Sequence, residues 1–365
     1  MSESKSDIDC YFSTNDFLFV TKQRTKTWIF IYSKKSRITD AMNIGGIEIK
    51  GKVILGPMAG ITSLPYREFN KPFGVALSYS EMISDCGLAY GNKRTFEYFA
   101  TSSIDRPVGL QLFGSDIAIS RKAISILEEH ADYDILDLNL GCPVNKVTKT
   151  GAGSAMLKSP DTLYKYVRAM VEASHKPVTA KIRLGWDDNS INVFTVAKLL
   201  EDAGCKMFTV HARTSKQMYS GHADYEKIRS LNEHVNIPFA ISGDIFSPET
   251  AKQAMDITGA SFVMVARGAV GRPNLIKDIN DYLATGSHDS APSVLEALNW
   301  ARDFSNRLIA YEGERIAVMQ LRGIVPHFFN GFPGYKRIRE AISSNVKTKE
   351  DLEKIFHSVE TRGVL

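Results

Sequence analysis

From residue 53 onward the chain alternates two patterns. A short apolar run rich in β-branched and aromatic residues is followed by a turn, and then by a longer stretch whose apolar positions recur at helical spacing. The short runs are VILGPM (53–58), ALSYSEM (76–82), VGLQLF (108–113), ILDLNL (135–140), VTAKIRL (178–184), KMFTVHA (206–212), PFAISGD (238–244) and FVMVARG (262–268). Helix starts are marked at Ser159-Pro160-Asp161 and Ser247-Pro248-Glu249, where a serine can cap and a proline suits the first turn. Parallel strands need crossover helices, and closing a sheet removes both of its edges. The repeat therefore predicts an α/β fold, a (β/α)8 TIM barrel, with a doubly wound open sheet as the alternative.

The pattern changes on either side. Past Leu283 the polar segment TGSHDSAP (285–292) reads as a linker and no further strand is expected. Helical spacing of Ala297, Trp300, Ala301, Phe304 and Leu308 then predicts a small C-terminal helical bundle, broken near Gly331-Phe332-Pro333-Gly334. Residues 1–41 carry no period that continues into the rest. They are expected to be an extension, or to lie upstream of a true start at Met42. The expected division is thus 1–41, a barrel over 42–286 and a helical domain over 287–365.

Composition narrows the function classes. The chain is 44% hydrophobic and 24% charged with a net charge of +4, and no segment carries a basic tail. Charge alone does not point to RNA; basic residues for such a partner would have to be gathered by folding. The cysteines Cys10, Cys86, Cys142 and Cys205 form no CxxC pair, so neither a disulfide framework nor a metal site is expected. No apolar stretch is long enough for a membrane span, residues 1–41 lack the layout of a secretory signal, and a cytoplasmic protein is expected.

In a barrel of this kind the active site lies at the C-terminal strand ends. Those ends hold Met58, Glu81, Gln111, Asn139, Cys142, Lys181, Arg183, His211, Arg213, Asp244 and Arg267, whereas the strand starts are plain apolar residues. The loops after strands 7 and 8 read SGDIFSPE (242–249) and ARGAVGRP (266–273). Gly243, Gly268 and Gly271 would let backbone N–H groups approach an anion, with Arg267 as a bidentate donor. With Lys181 and Gln111 pointing inward, this suggests a phosphate-bearing cofactor lying across the mouth. FMN fits, since a cation beside its ring would stabilise the reduced anionic form.

LGPMAG (55–60), QLFG (111–114), DLNLGCPVNKVTKTGAGSAML (137–157), AKIRLGW (180–186) and VHARTSKQMYSGHADY (210–225) together resemble the tRNA-dihydrouridine synthases. The helical tail, with RIAVMQLRGIVPHFFNGFPG, looks like the bacterial branch labelled B. The resemblance implies FMN contacts at Pro57, Met58, Ala59, Gln111, Lys181 and His211, with the phosphate held by Ser242, Gly243, Asp244, Ala266 and Arg267. Two positions depart from the family pattern, which usually has Asn where Ser242 stands and Gly where Ala266 stands. Ala266 can serve through its backbone N–H unless the site needs positive φ.

The resemblance further implies an oxidoreductase that takes electrons from NADPH and reduces the C5–C6 double bond of uridine in tRNA. Hydride would come from the flavin to C6 and a proton from Cys142 to C5. Asn139 would hold an edge of the base, Arg183 and Arg213 would orient a nucleotide flipped out of the tRNA, and Lys146 and Lys149 would meet phosphates. In the tail, Arg322, Lys336, Arg337 and Arg339 would grip the tRNA body. Another FMN barrel acting on a free pyrimidine is the nearest alternative; the GCPxxKV block and the tail argue against it.

Overall fold

The structure, a computed structural model, describes residues 41–362 and, ahead of them, the three strands Asp9–Phe12, Phe17–Thr21 and Ile29–Tyr32. Those three pair antiparallel, each with its neighbour in sequence, as a sheet of their own. The sequence pattern does not anticipate them. Runs of four or five residues such as IFIY sit between charged stretches without the strand-then-helix repeat that marks the other strands.

The remaining strands are the expected ones. We number them β1 Val53–Leu55, β2 Leu77–Ser84, β3 Val108–Phe113 and β4 Ile135–Asn139, followed by β5 Val178–Arg183, β6 Met207–His211, β7 Phe239–Ser242 and β8 Phe262–Val265. Each pairs in parallel with its successor, and β8 pairs with β1, so the sheet is a closed barrel and not an open doubly wound one. Several strands end sooner than the apolar runs suggest. At β7 and β8 the backbone leaves the ladder at Ser242 and Val265, although the favourable residue types continue.

Two cores result from strand alternation. Outward residues such as Leu110, Leu136, Ala180, Ile182 and Val210 pack under the surrounding helices in one large cluster. Inward residues Ile54, Leu77, Tyr79, Ile135, Met207, Ala240, Phe262 and Met264 fill the lower barrel, joined by Ile44 and Ile49. These last two belong to a hairpin of Met42–Ile44 and Ile47–Ile49, and both are fully buried, so the hairpin closes the barrel floor.

Helix starts follow local chemistry in part. Ser247 accepts the Thr250 N–H at 3.2 Å, as expected of a cap. The helix Pro160–Ala173 begins where Pro160 predicts, but Ser159 does not cap it, because its hydroxyl turns to that of Thr162 at 2.8 Å. The tail starts at Val294–Glu312 behind a capping box of Ser293 and Glu296, and continues through Glu314–Ile324, Tyr335–Asn345 and Lys349–Arg362. It is not a loose appendage. Phe304 packs edge-on to Tyr66 at 5.7 Å and against Phe69 at 5.5 Å, and Trp300 meets Phe73 at 5.6 Å, so tail and barrel share one continuous core. Among the described residues no helix is long and apolar enough to cross a membrane.

Candidate active site

The register of the barrel brings the polar strand ends level. Gln111 lies beside Met82, Asn139 beside Lys181, Arg183 beside His211, and His211 beside Ser242. They border a cavity of about 350 Å³ at the C-terminal mouth. All eleven residues expected to hold a cofactor line it: Pro57, Met58, Ala59, Gln111, Lys181, His211, Ser242, Gly243, Asp244, Ala266 and Arg267. Cys142, Asn139 and Arg183 line it as well. Lys146 and Lys149 do not; they stand exposed on or next to the short helix Asn145–Thr148 that follows the Cys142 loop.

The spacing of the GCP and GAGS blocks has a local cause. The chain loops out after β4 and returns so that the Ser154 N–H and hydroxyl both donate to the Cys142 carbonyl at 3.0 Å. Gly153, at φ +59°, lets this happen, since a Cβ there would stand 2.7 Å from the same carbonyl oxygen. On the other side the Cys142 N–H donates to Asn139 Oδ1 at 2.8 Å, and the Gly141 N–H to the same atom at 3.2 Å. Asn139 Nδ2 in turn donates to Gln111 Oε1 at 2.7 Å. Asn139 therefore lines the cavity and shapes the Cys142 loop at the same time.

Electrostatics favour an anion. Burial pulls the Lys181 ammonium down to about 8, helped by the Arg183 cation and opposed by Asp137 and Cys142, so it stays largely charged at neutral pH. Burial, joined by Lys181, Arg183, Arg213 and Arg267, holds His211 well below the usual imidazole range and hence neutral. Burial also raises the Cys142 thiol, against the Val144 N–H and the Arg183 and Lys181 charges, so the group is a thiol and not a thiolate at neutral pH.

Two arginines behave differently from the expectation. Arg213 does not reach the cavity wall: it is 1% exposed, and it donates to Ser220 O at 3.1 Å, Gly221 O at 2.8 Å and Asp244 Oδ2 at 2.6 Å. Its Nη1 lies 3.3 Å from His211 Nε2, so the guanidinium sits behind the cavity wall and braces the loops after β6 and β7. Arg183 faces the cavity but is likewise tied down, to the carbonyls of Gly141 at 2.9 Å, Thr214 at 2.9 Å and Met218 at 2.7 Å.

The loops after β7 and β8 form the other wall. Gly243 takes φ +114°, and a Cβ there would lie 2.9 Å from His211 Cδ2, so the position needs glycine on two counts. Asp244 turns its carboxylate to Arg213 and to the Ala223 N–H at 2.8 Å, so only its backbone is suited to an anion. Ala266 has a negative φ, −123°, which removes the positive-φ objection to alanine there. Gly271 does not belong to the site; it packs against the backbone of His327 and Phe328 in the tail.

Two residues escape the sequence reading. Tyr219, 53% exposed, sets its ring 4.8 Å from the Arg267 guanidinium and 5.5 Å from that of Arg183. It sits on an irregular loop, where no periodicity marks it. Asp137, in mid-strand on β4, is buried beneath the mouth and accepts from Gln111 Nε2 at 2.6 Å. A charged residue inside the apolar run ILDLNL was the available signal.

A closed parallel barrel with a cation-rich mouth, a neutral histidine and a protonated thiol in the wall defines a (β/α)8-barrel enzyme. The sequence model described as dihydrouridine synthase (Dus) matches residues 54–361. A probable tRNA-dihydrouridine synthase of Rickettsia conorii is 37% identical over 322 residues, covering 87% of this chain and 97% of the relative. The tRNA-dihydrouridine synthase B of Vibrio vulnificus is 38% identical over 246 residues, covering 67% and 76%. Among solved structures, histamine dehydrogenase from Rhizobium sp. 4-9 superposes with a TM-score of 0.50 at 13% identity, over 74% of this chain and 51% of that one, a likeness of fold. The chain belongs to the dihydrouridine synthase family, and it is an oxidoreductase.

Proposed function

We propose that the protein holds FMN across the barrel mouth and, with NADPH as electron donor, reduces the C5–C6 double bond of uridine in cytoplasmic tRNA to 5,6-dihydrouridine. The observation that carries this reading is a protonated thiol, Cys142, on the wall of a cavity it shares with Lys181, Gln111 and His211. The relatives named tRNA-dihydrouridine synthase support the substrate class.

The residues present suit the cofactor. Lys181 offers a cation at the centre of the mouth, Gln111 a side-chain amide fixed in orientation, and Pro57, Met58 and Ala59 one edge of the wall. Gly243, Ala266, Arg267 and the Ser242 hydroxyl offer the donors a phosphate requires, with the Arg267 cation beside them. When bound, the flavin supplies to C6 of the pyrimidine a hydride equivalent obtained from NADPH.

The protein's own part is to admit the base, orient it and complete the addition. A paired or stacked uridine cannot enter a barrel, so the target must be turned out of the tRNA, and contacts to its backbone must offset the unstacking. Lys146 and Lys149, exposed beside the Cys142 loop, are placed to meet those phosphates. Arg183 keeps its charge facing the cavity while its carbonyl partners fix its position. Cys142 gives its proton to C5, and the thiolate left behind is stabilised by the Lys181 and Arg183 charges until it regains a proton from water.

Cys142→Ala tests the assignment. We expect a variant that keeps its flavin and oxidises NADPH but forms dihydrouridine at least about 100-fold more slowly on natural tRNA. Full activity overturns the proton-donor role. A purified protein that is colourless and cannot be reconstituted with FMN overturns the flavin reading itself.

A further inference from the structure

Beneath the mouth lies a chain of polar groups that ends at the Cys142 loop and that the proposed reaction does not by itself require. Asp137 is 2% exposed and points into the barrel from β4. Its Oδ1 accepts from the Thr179 hydroxyl at 2.6 Å and its Oδ2 from Gln111 Nε2 at 2.6 Å. Gln111 Oε1 accepts from Asn139 Nδ2 at 2.7 Å, and Asn139 Oδ1 accepts from the N–H groups of Cys142 at 2.8 Å and Gly141 at 3.2 Å. Every link is side chain to side chain until the last, which reaches the backbone carrying the thiol.

The direction of these bonds is the informative part. Gln and Asn amides have a donor end and an acceptor end of nearly the same shape, so neither amide alone decides which way it points. An ionised carboxylate can only accept. It obliges Gln111 to turn its NH2 downward and its oxygen to Asn139, which obliges Asn139 to turn its NH2 to Gln111 and its oxygen to the loop. We propose that Asp137 is a positioning residue whose negative charge sets the polarity of Gln111 and Asn139, and through them fixes the Cys142 loop and the amide face that Gln111 shows to the cavity. The inference rests on the proposed roles of Gln111 and Cys142 for its catalytic meaning; its structural content does not depend on them.

A neutral carboxylic acid removes the constraint. With its proton on Oδ2 it donates to Gln111 Oε1; the Gln111 NH2 then faces Asn139, Asn139 reverses, and its NH2 meets the Cys142 N–H, donor against donor. With its proton on Oδ1 it donates to Thr179, whose hydroxyl turns to Tyr79 at 3.1 Å, so the chain is no longer held to one polarity. Burial lifts the Asp137 carboxyl to about 6, opposed by the hydrogen bonds from Thr179 and Gln111 and by the Lys181 charge, so this change falls within the accessible pH range. The titratable groups that face Asp137 are Lys181 on β5, Tyr79 on β2 and Cys205 just before β6. Burial raises both Tyr79 and Cys205, each with a further push from the Asp137 charge, so both stay neutral through that range and Lys181 stays cationic. Of the groups in this cluster, the Asp137 carboxyl is the one that changes state near pH 6.

The test reads the loop directly, on the full-length protein without substrate. Backbone amide hydrogen exchange over residues 140–144, corrected for the intrinsic pH dependence of exchange, should show protection at pH 7.5 that falls about tenfold as pH drops through about 6, the size expected for losing a buried hydrogen bond. Asp137→Asn, which cannot titrate, should hold the loop's protection at one value across both pH values while the outer barrel keeps its protection, and should lose the acid limb of dihydrouridine formation near pH 6. Should that variant fold poorly, Thr179→Val answers the same question. It removes one bond that stabilises the charged carboxylate, and so should move the midpoint of the loop's protection to higher pH. Loop protection that does not depend on pH in the wild type, or that still falls through pH 6 in a folded Asp137→Asn variant, overturns the proposal. A colourless protein that passes the exchange test would instead count against the flavin reading alone.

Discussion

At the scale of single residues, the mouth is governed by which charges survive burial. Lys181 is the clearest instance, with its free-site value pulled down to about 8 by burial and by Arg183. Its charge is present below that pH and lost above it, so an anionic partner held by Lys181 is bound with constant affinity up to about pH 8 and progressively less tightly beyond. We expect the FMN dissociation constant, measured by flavin fluorescence quenching, to rise as pH increases from 8 to 9.5, and Lys181→Arg to flatten that rise because a guanidinium keeps its proton. An affinity that does not change over that interval would show that Lys181 makes no charge contact with the cofactor. Residue chemistry of this sort was partly legible in the sequence. Strand-end positions mark Lys181, Gln111 and Cys142, since alternation and the barrel rule say where they must go. The same rule puts Arg213 at the cavity, whose lining it does not join, because nothing in a sequence reveals that Asp244 and two loop carbonyls will hold its Nε and Nη2 donors. The loop-shaping task of Asn139 is not legible for a similar reason: the N–H groups that share its oxygen belong to a turn that leaves no period in the sequence.

At the scale of elements, the strand-then-helix repeat was sufficient for the barrel, because β-rich runs and helical spacing each leave a local period. What leaves no period was missed. Tyr219 sits on the loop after β6 and meets Arg267 and Arg183 only through tertiary placement. The strand ends at β7 and β8 were overrun because the backbone turns at Gly243, with φ +114°, and at Ala266, with ψ −98°, by conformation and not by polarity. The tail's helices were legible, but the aromatic seam that fixes them to the barrel was not, since Tyr66 and Phe69 lie more than 200 residues earlier than Phe304. That seam carries a prediction. Phe304→Ala should cost about 3–5 kcal/mol, because it empties the contact with Tyr66, Phe69 and Phe328. Since tail and barrel share one core, urea unfolding followed by circular dichroism should move as a single transition. Separation into two transitions in the wild type would show that the tail folds as an independent unit.

At the scale of the whole molecule, a net charge of +4 hides an uneven distribution. The mouth concentrates Lys181, Arg183 and Arg267, and the tail presents Lys336, Arg337 and Arg339 as exposed residues. Arg322, the fourth basic residue expected to grip RNA, is half-buried and donates to Val346 O at 2.6 Å, so it braces the tail. If the three exposed cations contact tRNA phosphates, reversing them together (K336E, R337E, R339E) should weaken tRNA binding most at low salt. It should also reduce the slope of log affinity against log salt by about 2. An unchanged slope in a filter-binding titration would place the RNA elsewhere.

The hairpin whose Ile44 and Ile49 close the barrel floor has a consequence for traffic. Among the described residues the base is sealed and the cavity opens at the mouth, so whatever delivers electrons and whatever receives them share that entrance. Under the proposed reaction NADPH and the extruded base therefore queue: the first visitor leaves its electrons behind and departs before the second is admitted. Steady-state rates measured against both substrates should give parallel double-reciprocal lines, with each substrate inhibiting at high concentration by occupying the doorway out of turn.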